Sequence, residues 1–231
     1  MHLLIDQGNS RTKACLYKEG VFTDVVLSEL TPTDWQSIKQ ALIGSVASAE
    51  QRQQLRTLLP ATMPVRWLRS SAQAFGISNS YQQPEKLGVD RWLALLGAAA
   101  LYPKQRLLVI DAGTAVTMDW LDADGQHTGG WILAGLQTQQ RILVSATAQV
   151  EAATMSLQSL LPATSTTAAV AEGAKAAVLG AVQQAIQLQR IERVVLTGGD
   201  GAFIQQQLNN NAVLLEPKLI FYGLARFIDN N

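Results

Sequence analysis

The chain has 231 residues, long enough for one large domain or for two of about 100 residues each. Hydrophobic residues make up 48% of it and charged residues 16%, a composition that supplies a packed core and excludes a disordered protein. Lys and Arg number 18 and so do Asp and Glu, so the formal net charge is zero. Without a basic field, nucleic acid is not expected as a ligand, whereas a near-neutral surface favours self-association.

The N-terminus and the apolar stretches predict neither a targeting signal nor a membrane span. The first ten residues, MHLLIDQGNS, lack a basic region and a long apolar core, and Leu93 to Leu101 is too short to cross a bilayer. We expect a cytoplasmic protein without a membrane partner. The single Cys15 cannot form an internal disulfide, and its place in a predicted strand favours a buried thiol over a reactive one.

The chain opens with a predicted β-hairpin. A strand over residues 3–5 leads into the turn Asp6-Gln7-Gly8-Asn9-Ser10, and a second strand follows over residues 13–17. Three further elements are predicted in this half of the chain: helical structure over residues 31–59, a short strand at residues 66–68, and a buried helix from Asp90 to Tyr102.

The helical prediction for residues 31–59 rests on capping and spacing. Either Thr33 or Asp34 can cap a helix, and Trp35, Ile38 and Leu42 recur at helical intervals before a Gln-rich amphipathic stretch.

The second half of the chain repeats the pattern of the first. An apolar strand over residues 107–110 leads into Asp111-Ala112-Gly113-Thr114, and a strand over residues 115–121 follows. A long Ala-rich helix is predicted over residues 166–189, and a third strand leads into the glycine turn at residues 197–201. The sequence therefore predicts an internal duplication, with one lobe over residues 1–104 and a second over residues 105–231.

The first turn has the residue types that a phosphate site needs. Gly8 permits a close approach of the backbone to an anion, Asp6 can hold a hydrated Mg²⁺, and Lys13 supplies a positive charge. An isolated Asp-x-Gly-Asn hairpin is more often a simple turn, but the echo at Asp111 favours a phosphate site. Two such carboxylates suit phosphoryl transfer, which depends mainly on positioning and charge neutralisation.

The third turn, Gly198-Gly199-Asp200-Gly201, offers backbone without side chains against which an adenosine could lie. The alternative interpretation is an ordinary connection between a strand and a helix.

Gly88-Val89-Asp90-Arg91-Trp92 begins the predicted buried helix and permits two interpretations. Asp90 can simply cap the helix and pair with Arg91. Alternatively, Asp90 takes a proton from a substrate hydroxyl while the guanidinium of Arg91 binds a substrate carboxylate. The second interpretation requires an acidic, hydroxylated substrate.

Other common catalytic motifs are absent from the sequence. His2 and His127 are isolated and no Cys/His cluster exists, which argues against a zinc site. Neither a Walker-type phosphate loop nor a Gly-x-Ser-x-Gly elbow is present.

Taken together, the motifs resemble the type III pantothenate kinases, which phosphorylate pantothenate in the first step of coenzyme A synthesis. The resemblance covers nearly the whole chain and depends on the order and spacing of six segments, which are residues 6–13, Tyr81 with 88–92, 111–115, 129–136, Thr166 to Gly173, and 197–200.

The resemblance implies an α/β fold of two duplicated actin-like (ribonuclease H-like) lobes with ATP in a cleft between them. It implies that ATP is bound by Asp6, Gln7, Gly8, Asn9, Ser10, Arg11, Thr12, Lys13 and Thr114. It assigns pantothenate to Tyr81, Gly88, Val89, Asp90, Arg91 and Thr166, with Asp90 as the base. Asp111 would hold K⁺ or NH₄⁺, required beside the Mg²⁺ that Asp6 holds through water, and a homodimer is expected.

Departures from the family pattern are small. Ser10 stands where Thr is common and keeps the hydroxyl, and Ala134 replaces a frequent Pro. Two rival hypotheses remain open at this stage. One is a nucleotide-binding regulatory protein, a role suggested by a family member named for assisting a transcriptional regulator. The other is an actin-like kinase for a different hydroxy acid or sugar, because a fold does not fix a substrate.

Overall fold

The structure, a computed structural model, describes residues 1–147, 156–157 and 160–228. The chain forms two compact units. The first comprises Met1–Pro103 together with the C-terminal segment from Lys218 onward, and the second comprises Lys104–Pro217. Within the described ranges, no helix is both long enough and apolar enough to cross a membrane.

The first unit is built on a mixed sheet of five strands. These are β1 (His2–Gln7), β2 (Thr12–Lys18), β3 (Val21–Val25), β4 (Ala41–Ser45) and β5 (Val65–Trp67). Their order is β3-β2-β1-β4-β5, in which β1 to β3 are antiparallel and β4 and β5 run parallel to β1. A small hairpin pairs β6 (Gln73–Ala74) with β7 (Ile77–Ser78).

Three helices follow the strands of the first sheet: α1 (Pro32–Ser37), α2 (Ala49–Leu58) and α3 (Val89–Leu101). Leu55 of α2 packs with Leu3 and Ile5 on one face of β1. All of Leu3, Leu4 and Ile5 are nevertheless fully buried, because helices cover both faces of this central strand.

The second unit repeats this sheet. Its strands are β8 (Leu107–Ala112), β9 (Ala115–Leu121), β10 (His127–Ala134), β11 (Arg193–Thr197) and β12 (Val213–Leu215). Their order, β10-β9-β8-β11-β12, has the same directions as the first sheet. The helices are α4 (Leu136–Ala146), α5 (Thr166–Leu188) and α6 (Gly201–Leu208). The predicted duplication is confirmed, since two different stretches of sequence form one topology.

The helical prediction for residues 31–59 is confirmed for α1 and α2 and is wrong for the stretch between them, which forms β4. Leu42 lies in β4, where it is fully buried and pairs in register with Leu4 of β1. Its helical distance from Trp35 and Ile38 is a coincidence, because an apolar run that is buried on both faces has no periodicity of its own.

The cap of α1 also differs from its prediction. Thr31 caps the helix: its side chain accepts the Asp34 N–H while the carboxylate of Asp34 accepts the Thr31 N–H at 2.9 Å. Asp34 therefore completes a capping box from inside the first turn.

The last helix, α7 (Leu219–Ala225), packs against α3. A Cβ on Gly97 would lie 2.2 Å from the carbonyl oxygen of Leu219, and one on Gly223 would lie 2.1 Å from that of Leu93. Two glycines thus let the helix backbones touch, and the segment that begins at Lys218 groups with the first unit. The sequence-based division had placed this segment in the second lobe.

Candidate active site

The turn between β1 and β2 is closed by its own backbone. The Gly8 N–H donates to the carbonyl oxygen of Arg11 at 3.0 Å, and Asp6 lies opposite Lys13 in the strand register. Residues 9–13 are exposed, whereas the strand before them is buried. An acid, a base and a tight turn therefore stand together at the solvent end of a rigid strand, as the phosphate-site prediction requires.

The side chain of Gln7, the last residue of β1, connects the start of this turn to neighbouring elements. It is only 5% exposed, its amide nitrogen donates to the carbonyl oxygen of Gln51 at 3.0 Å, and its amide oxygen accepts the Ser45 hydroxyl at 2.7 Å. Both polar ends are thus engaged with β4 and α2. The family resemblance implies an ATP contact for Gln7, but Ser45 and Gln51 were not predicted as its partners, because the fold brings them together from far along the chain.

Asp90 lies in the first turn of α3, beside the Gly88 that precedes the helix as its N-cap residue. One carboxylate oxygen of Asp90 accepts the Arg91 N–H at 2.8 Å, so Asp90 bonds an N–H of the first turn from inside the helix and is not its N-cap residue. The same oxygen would lie 2.5 Å from a Cβ on Gly88. The absence of a side chain at position 88 thus lets the Asp90 carboxylate keep this position.

Arg91 and Tyr81 form a hydrogen-bonded pair. Arg91 is only 5% exposed, and its guanidinium donates to the phenolic oxygen of Tyr81 at 2.9 Å. A buried guanidinium is costly unless it is hydrogen-bonded, so the bond fixes its position. The structure thus brings together Tyr81, Asp90 and Arg91, which the sequence assigned to a single substrate.

In the second unit, the third glycine turn packs against the second one. Thr197 pairs in register with Asp111, and the Asp200 N–H donates to the carbonyl oxygen of Ala112 at 3.0 Å. Gly198 has φ +88°, and a Cβ there would lie 2.4 Å from that carbonyl oxygen and 2.5 Å from the Asp111 carboxylate. Only glycine fits this position, and it places the backbone of the third turn against Asp111.

The segment after β10 holds the second turn in place. The Gly135 N–H donates to the carbonyl oxygen of Thr114 at 3.0 Å, and the hydroxyl of Thr138 donates to the same oxygen at 2.7 Å. A Cβ on Gly135 would lie 2.0 Å from the carbonyl oxygen of Gly113. The end of the glycine-rich segment 129–136 therefore packs against the turn that contains Thr114 and is hydrogen-bonded to it.

Thr166 is the first residue of α5, in the second unit, and it is exposed. Ser165 caps this helix by accepting the Ala168 N–H at 3.3 Å. In the first unit, the predicted site residues thus lie in the β1–β2 turn and in the Asp90 group, which is Tyr81 with residues 88–91. In the second unit they are Thr166 and the Asp111 group, which is Asp111 with Thr114.

The sequence model of the type III pantothenate kinases matches residues 2–188, a range that contains all of these groups except the third glycine turn. The chain belongs to the type III pantothenate kinase family. Two curated members of the family align with almost the whole chain. The one from Colwellia psychrerythraea is 34% identical over 98% of this chain and 100% of its own length. The one from Idiomarina loihiensis is 35% identical over 99% of this chain and 98% of its own length.

Solved structures show the same fold at lower identity. A Campylobacter jejuni protein assigned to the Baf family of transcriptional activators matches with a TM-score of 0.62 at 22% identity, over 98% of this chain and 96% of its own. A Sinorhizobium meliloti protein assigned as a 2-dehydro-3-deoxygalactonokinase matches with a TM-score of 0.60 at 16% identity, over 98% and 97%. These similarities speak for the fold alone. It is the two-lobed α/β fold of actin-like kinases, and the predicted fold class is confirmed.

Cys15 of this pantothenate kinase family member is buried, as the sequence predicted. Burial raises the pKa of its thiol to about 12, and so does the hydrogen bond to the carboxylate of Asp24 at 3.0 Å. The ammonium of Lys218 also contacts both Asp24 and the sulfur. Since only a thiolate is a good nucleophile, Cys15 is a packing residue.

His127 is isolated in the sequence but not in the structure. Its Nε2 lies 2.9 Å from a carboxylate oxygen of Asp119, and both side chains are buried between β9 and β10. The only sequence signal was an acidic residue inside an apolar strand. Among the described residues, no group of three or more His, Cys, Asp or Glu side chains could hold a metal ion.

Proposed function

We propose that this protein transfers the γ-phosphoryl group of ATP to the hydroxyl of pantothenate, the first step of coenzyme A biosynthesis. The observation that carries the proposal is the Asp90 group. Within one turn of α3 it presents a carboxylate and a buried guanidinium that Tyr81 holds in place. A substrate that uses both groups has a hydroxyl and a carboxylate, and pantothenate has each. Family membership supports the same substrate.

ATP binds, in this proposal, through residues 6–13 with a contribution from Thr114. The exposed backbone of residues 9–13 faces solvent with its turn already closed, so binding phosphate requires little ordering. The ammonium of Lys13, opposite Asp6, attracts the phosphates. Asp6 would hold Mg²⁺ through water, and the bound ion would neutralise phosphate charge.

Asp90 acts as the general base. It accepts the proton of the substrate hydroxyl while that oxygen bonds to the γ-phosphorus and the bond to the bridging oxygen of ADP breaks. Arg91 binds the substrate carboxylate, and Gly88 and Val89 supply the turn that aims Asp90. Thr166 is the proposed contact to pantothenate from the second unit.

Asp111 is the proposed ligand of K⁺ or NH₄⁺. Carbonyl and carboxylate oxygens are suitable ligands for such a cation. The carbonyl oxygen of Ala112 and the carboxylate of Asp111 both lie next to Gly198. The strand position that holds Lys13 opposite Asp6 holds the neutral Thr117 opposite Asp111. Replacing K⁺ by Na⁺ should therefore depress turnover, and equal initial rates in the two ions would argue against the site.

The second unit supports the proposed homodimer. Among the described residues of the range 131–161, six large apolar side chains are exposed: Trp131, Ile132, Ile142, Leu143, Leu160 and Leu161. Ile132 is 63% exposed and Leu161 is 65% exposed, and β10 is an edge strand of its sheet. Exposed apolar side chains concentrated in one segment are typical of a protein interface. Light scattering should report a dimer, and Ile132→Glu should shift it toward the monomer.

The decisive experiment is a coupled assay of ADP release with pantothenate, MgATP and either K⁺ or NH₄⁺. Turnover is expected with pantothenate and not with sugars or with hydroxy compounds that lack the carboxylate. No turnover in either cation would refute the proposal and favour a nucleotide-binding regulatory role. An ATP-dependent reaction of this kind belongs in the cytoplasm, which is where we place the protein.

A further inference from the structure

A polar pocket of about 740 Å³ lies in the first unit. Its walls come from the ends of β4 and β5, from α2, and from the loop that leads into α3. Its volume is in the range of small-molecule sites, which is about 300–1,000 Å³. We call it the basic pocket, after the charged residues that line it: Arg52, Arg56, Arg69, Lys86 and Glu85.

Three of the four cations in the basic pocket are available to a ligand. Arg56 is already engaged, because its guanidinium donates to the carbonyl oxygens of three residues after α2. In the part of the chain that the structure describes, the side chains of Arg52, Arg69 and Lys86 make no hydrogen bond or ion pair. Like charges gathered around a concave surface attract an anion.

The walls of the basic pocket are fixed rather than loose. The hydroxyl of Ser70, which is buried, donates to the carbonyl oxygen of Leu87 at 2.7 Å and so ties the end of β5 to the loop before α3. The bonds of Arg56 hold the opposite wall. A site whose walls are set before binding loses less entropy when it is filled.

The basic pocket overlaps the edge of the proposed active site, with which it shares Gly88 and Val89. Ser45 lines the pocket and donates to Gln7, the residue beneath the phosphate turn. Gly88 and Val89 line it too, and they precede the proposed base. Neither Asp6 nor the exposed residues 9–13 line the pocket.

We propose that the basic pocket binds a small molecule that carries two or more phosphate groups, and that its occupation weakens binding of the acceptor substrate. Three unengaged cations exceed what a single phosphate needs, and guanidinium groups match phosphate oxygens in pairs. Competition is expected because Gly88 and Val89 form a wall of the pocket and also the turn that aims Asp90. This second part rests on the proposed function, whereas the binding itself does not.

Pyrophosphate titration followed by NMR tests the binding. Trp67 lines the pocket, so its indole N–H signal, identified by its loss in Trp67→Phe, reports locally. A saturable shift is expected in the wild type and in Lys13→Gln, whose change removes the cation of the phosphate turn. In Arg52→Gln/Arg69→Gln the affinity should fall about tenfold or more. Arg190→Gln, an exposed change outside the pocket, is the matched control.

Two results would overturn the binding proposal. One is a Trp67 shift that disappears in Lys13→Gln and persists in Arg52→Gln/Arg69→Gln, which would place pyrophosphate at the turn alone. The other is the absence of any saturable shift. Calorimetry gives an independent count of sites: two in the wild type, one of which should be about tenfold or more weaker in Arg52→Gln/Arg69→Gln, with thermal unfolding to verify that each variant is folded.

Kinetics at saturating ATP and constant free Mg²⁺ test the competition. Pyrophosphate should raise the KM for pantothenate in the wild type and in Arg190→Gln, and should leave it unchanged in Arg52→Gln/Arg69→Gln. An unchanged KM in the wild type would refute competition. If the protein does not turn over pantothenate at all, the proposed function fails, and the NMR titration still decides whether the pocket binds phosphate.

Discussion

Replacing Gly198 by Ala should destabilise the second unit and disturb the Asp111 site together. The new Cβ would lie 2.4 Å from the carbonyl oxygen of Ala112 and 2.5 Å from the Asp111 carboxylate, so the turn or the carboxylate must move. An Ala at φ +88° also costs about 1–2 kcal/mol in backbone strain. With about 1–3 kcal/mol for the overpacking, the free energy of unfolding should fall by about 2–5 kcal/mol in total.

The neighbouring Gly199 is a matched control for this experiment. A Cβ on Gly199 meets no atom within 4 Å, and its φ lies outside the left-handed region. Urea unfolding of Gly198→Ala and Gly199→Ala measures the stability difference, and rates across a K⁺ titration measure the Asp111 site. Gly198→Ala should need more K⁺ for half-maximal activity. If the two variants lose equal stability and keep the same K⁺ dependence, the close packing of the third turn on Asp111 does not have the role that we give it.

Three more outcomes are expected. Asp90→Asn should lower kcat by about 10²- to 10⁴-fold at unchanged thermal stability, since an amide cannot accept the proton; a near-normal rate would exclude Asp90 as the base. Tyr81→Phe removes the hydrogen bond that positions the buried Arg91. The KM for pantothenate should therefore rise about tenfold while the KM for ATP stays the same. A rise in the KM for ATP alone would contradict the role of the Tyr81–Arg91 pair. Burial and the Asp24 bond raise the pKa of Cys15 from 9.0 to about 12, so the protonated thiol favours the folded state. This contribution is complete below about pH 9 and is lost as the pH rises toward 12. In urea unfolding between pH 8 and 11, Cys15→Ala should therefore lose less stability with rising pH than the wild type, and parallel curves would disprove the assignment.

Much of the fold is visible in the sequence because its strands are short apolar runs that end at glycine turns. Leu3 to Ile5 and the run over residues 107–110 are buried on both faces, and each leads directly into Asp-x-Gly. Such a run combines a period-free apolar stretch with an abrupt polar turn, which few other structures produce. This is why the hairpins and the duplication were predictable.

The errors have a common physical cause, which is contact between distant parts of the chain. Leu42 kept helical spacing by chance, and only its pairing with Leu4 makes it a strand residue. The segment from Lys218 onward joins the first unit because Gly97 and Gly223 let two helices touch, and no local pattern announces such a contact. The supports of Gln7 escaped notice for the same reason.

The sequence allowed the residues of the candidate site to be proposed, but it did not show how they are arranged. The residue types around Asp90 and Arg91 pointed to an acidic, hydroxylated substrate, and the structure adds that Tyr81 holds the guanidinium from ten positions earlier. The basic pocket had no signal at all, since Arg52, Arg69 and Lys86 belong to three separate segments that are charged in an ordinary way.

The two duplicated turns differ in ways that fit the two roles that we propose for them. Both follow the central strand of an identical sheet, and both have an Asp two positions before the glycine. In the first turn, residues 8–11 lie between the last two paired strand residues. In the second turn, residues 113–115 lie between them, so this turn is one residue shorter. The longer turn leaves more exposed backbone for phosphate and faces Asp6 with a Lys.

The shorter turn instead faces its Asp with Thr117 and is enclosed by two other segments. Gly135 and Thr138 hold the Thr114 carbonyl, and Gly198 closes against Asp111. This site has the neutral Thr117 opposite its Asp and has carbonyl oxygens nearby, with glycines where the segments approach closely. Such surroundings favour a small positive ion over a polyphosphate. In the roles that we propose, the two turns are distinguished by one strand position and one residue of loop length, and exchanging Lys13 and Thr117 would test this directly.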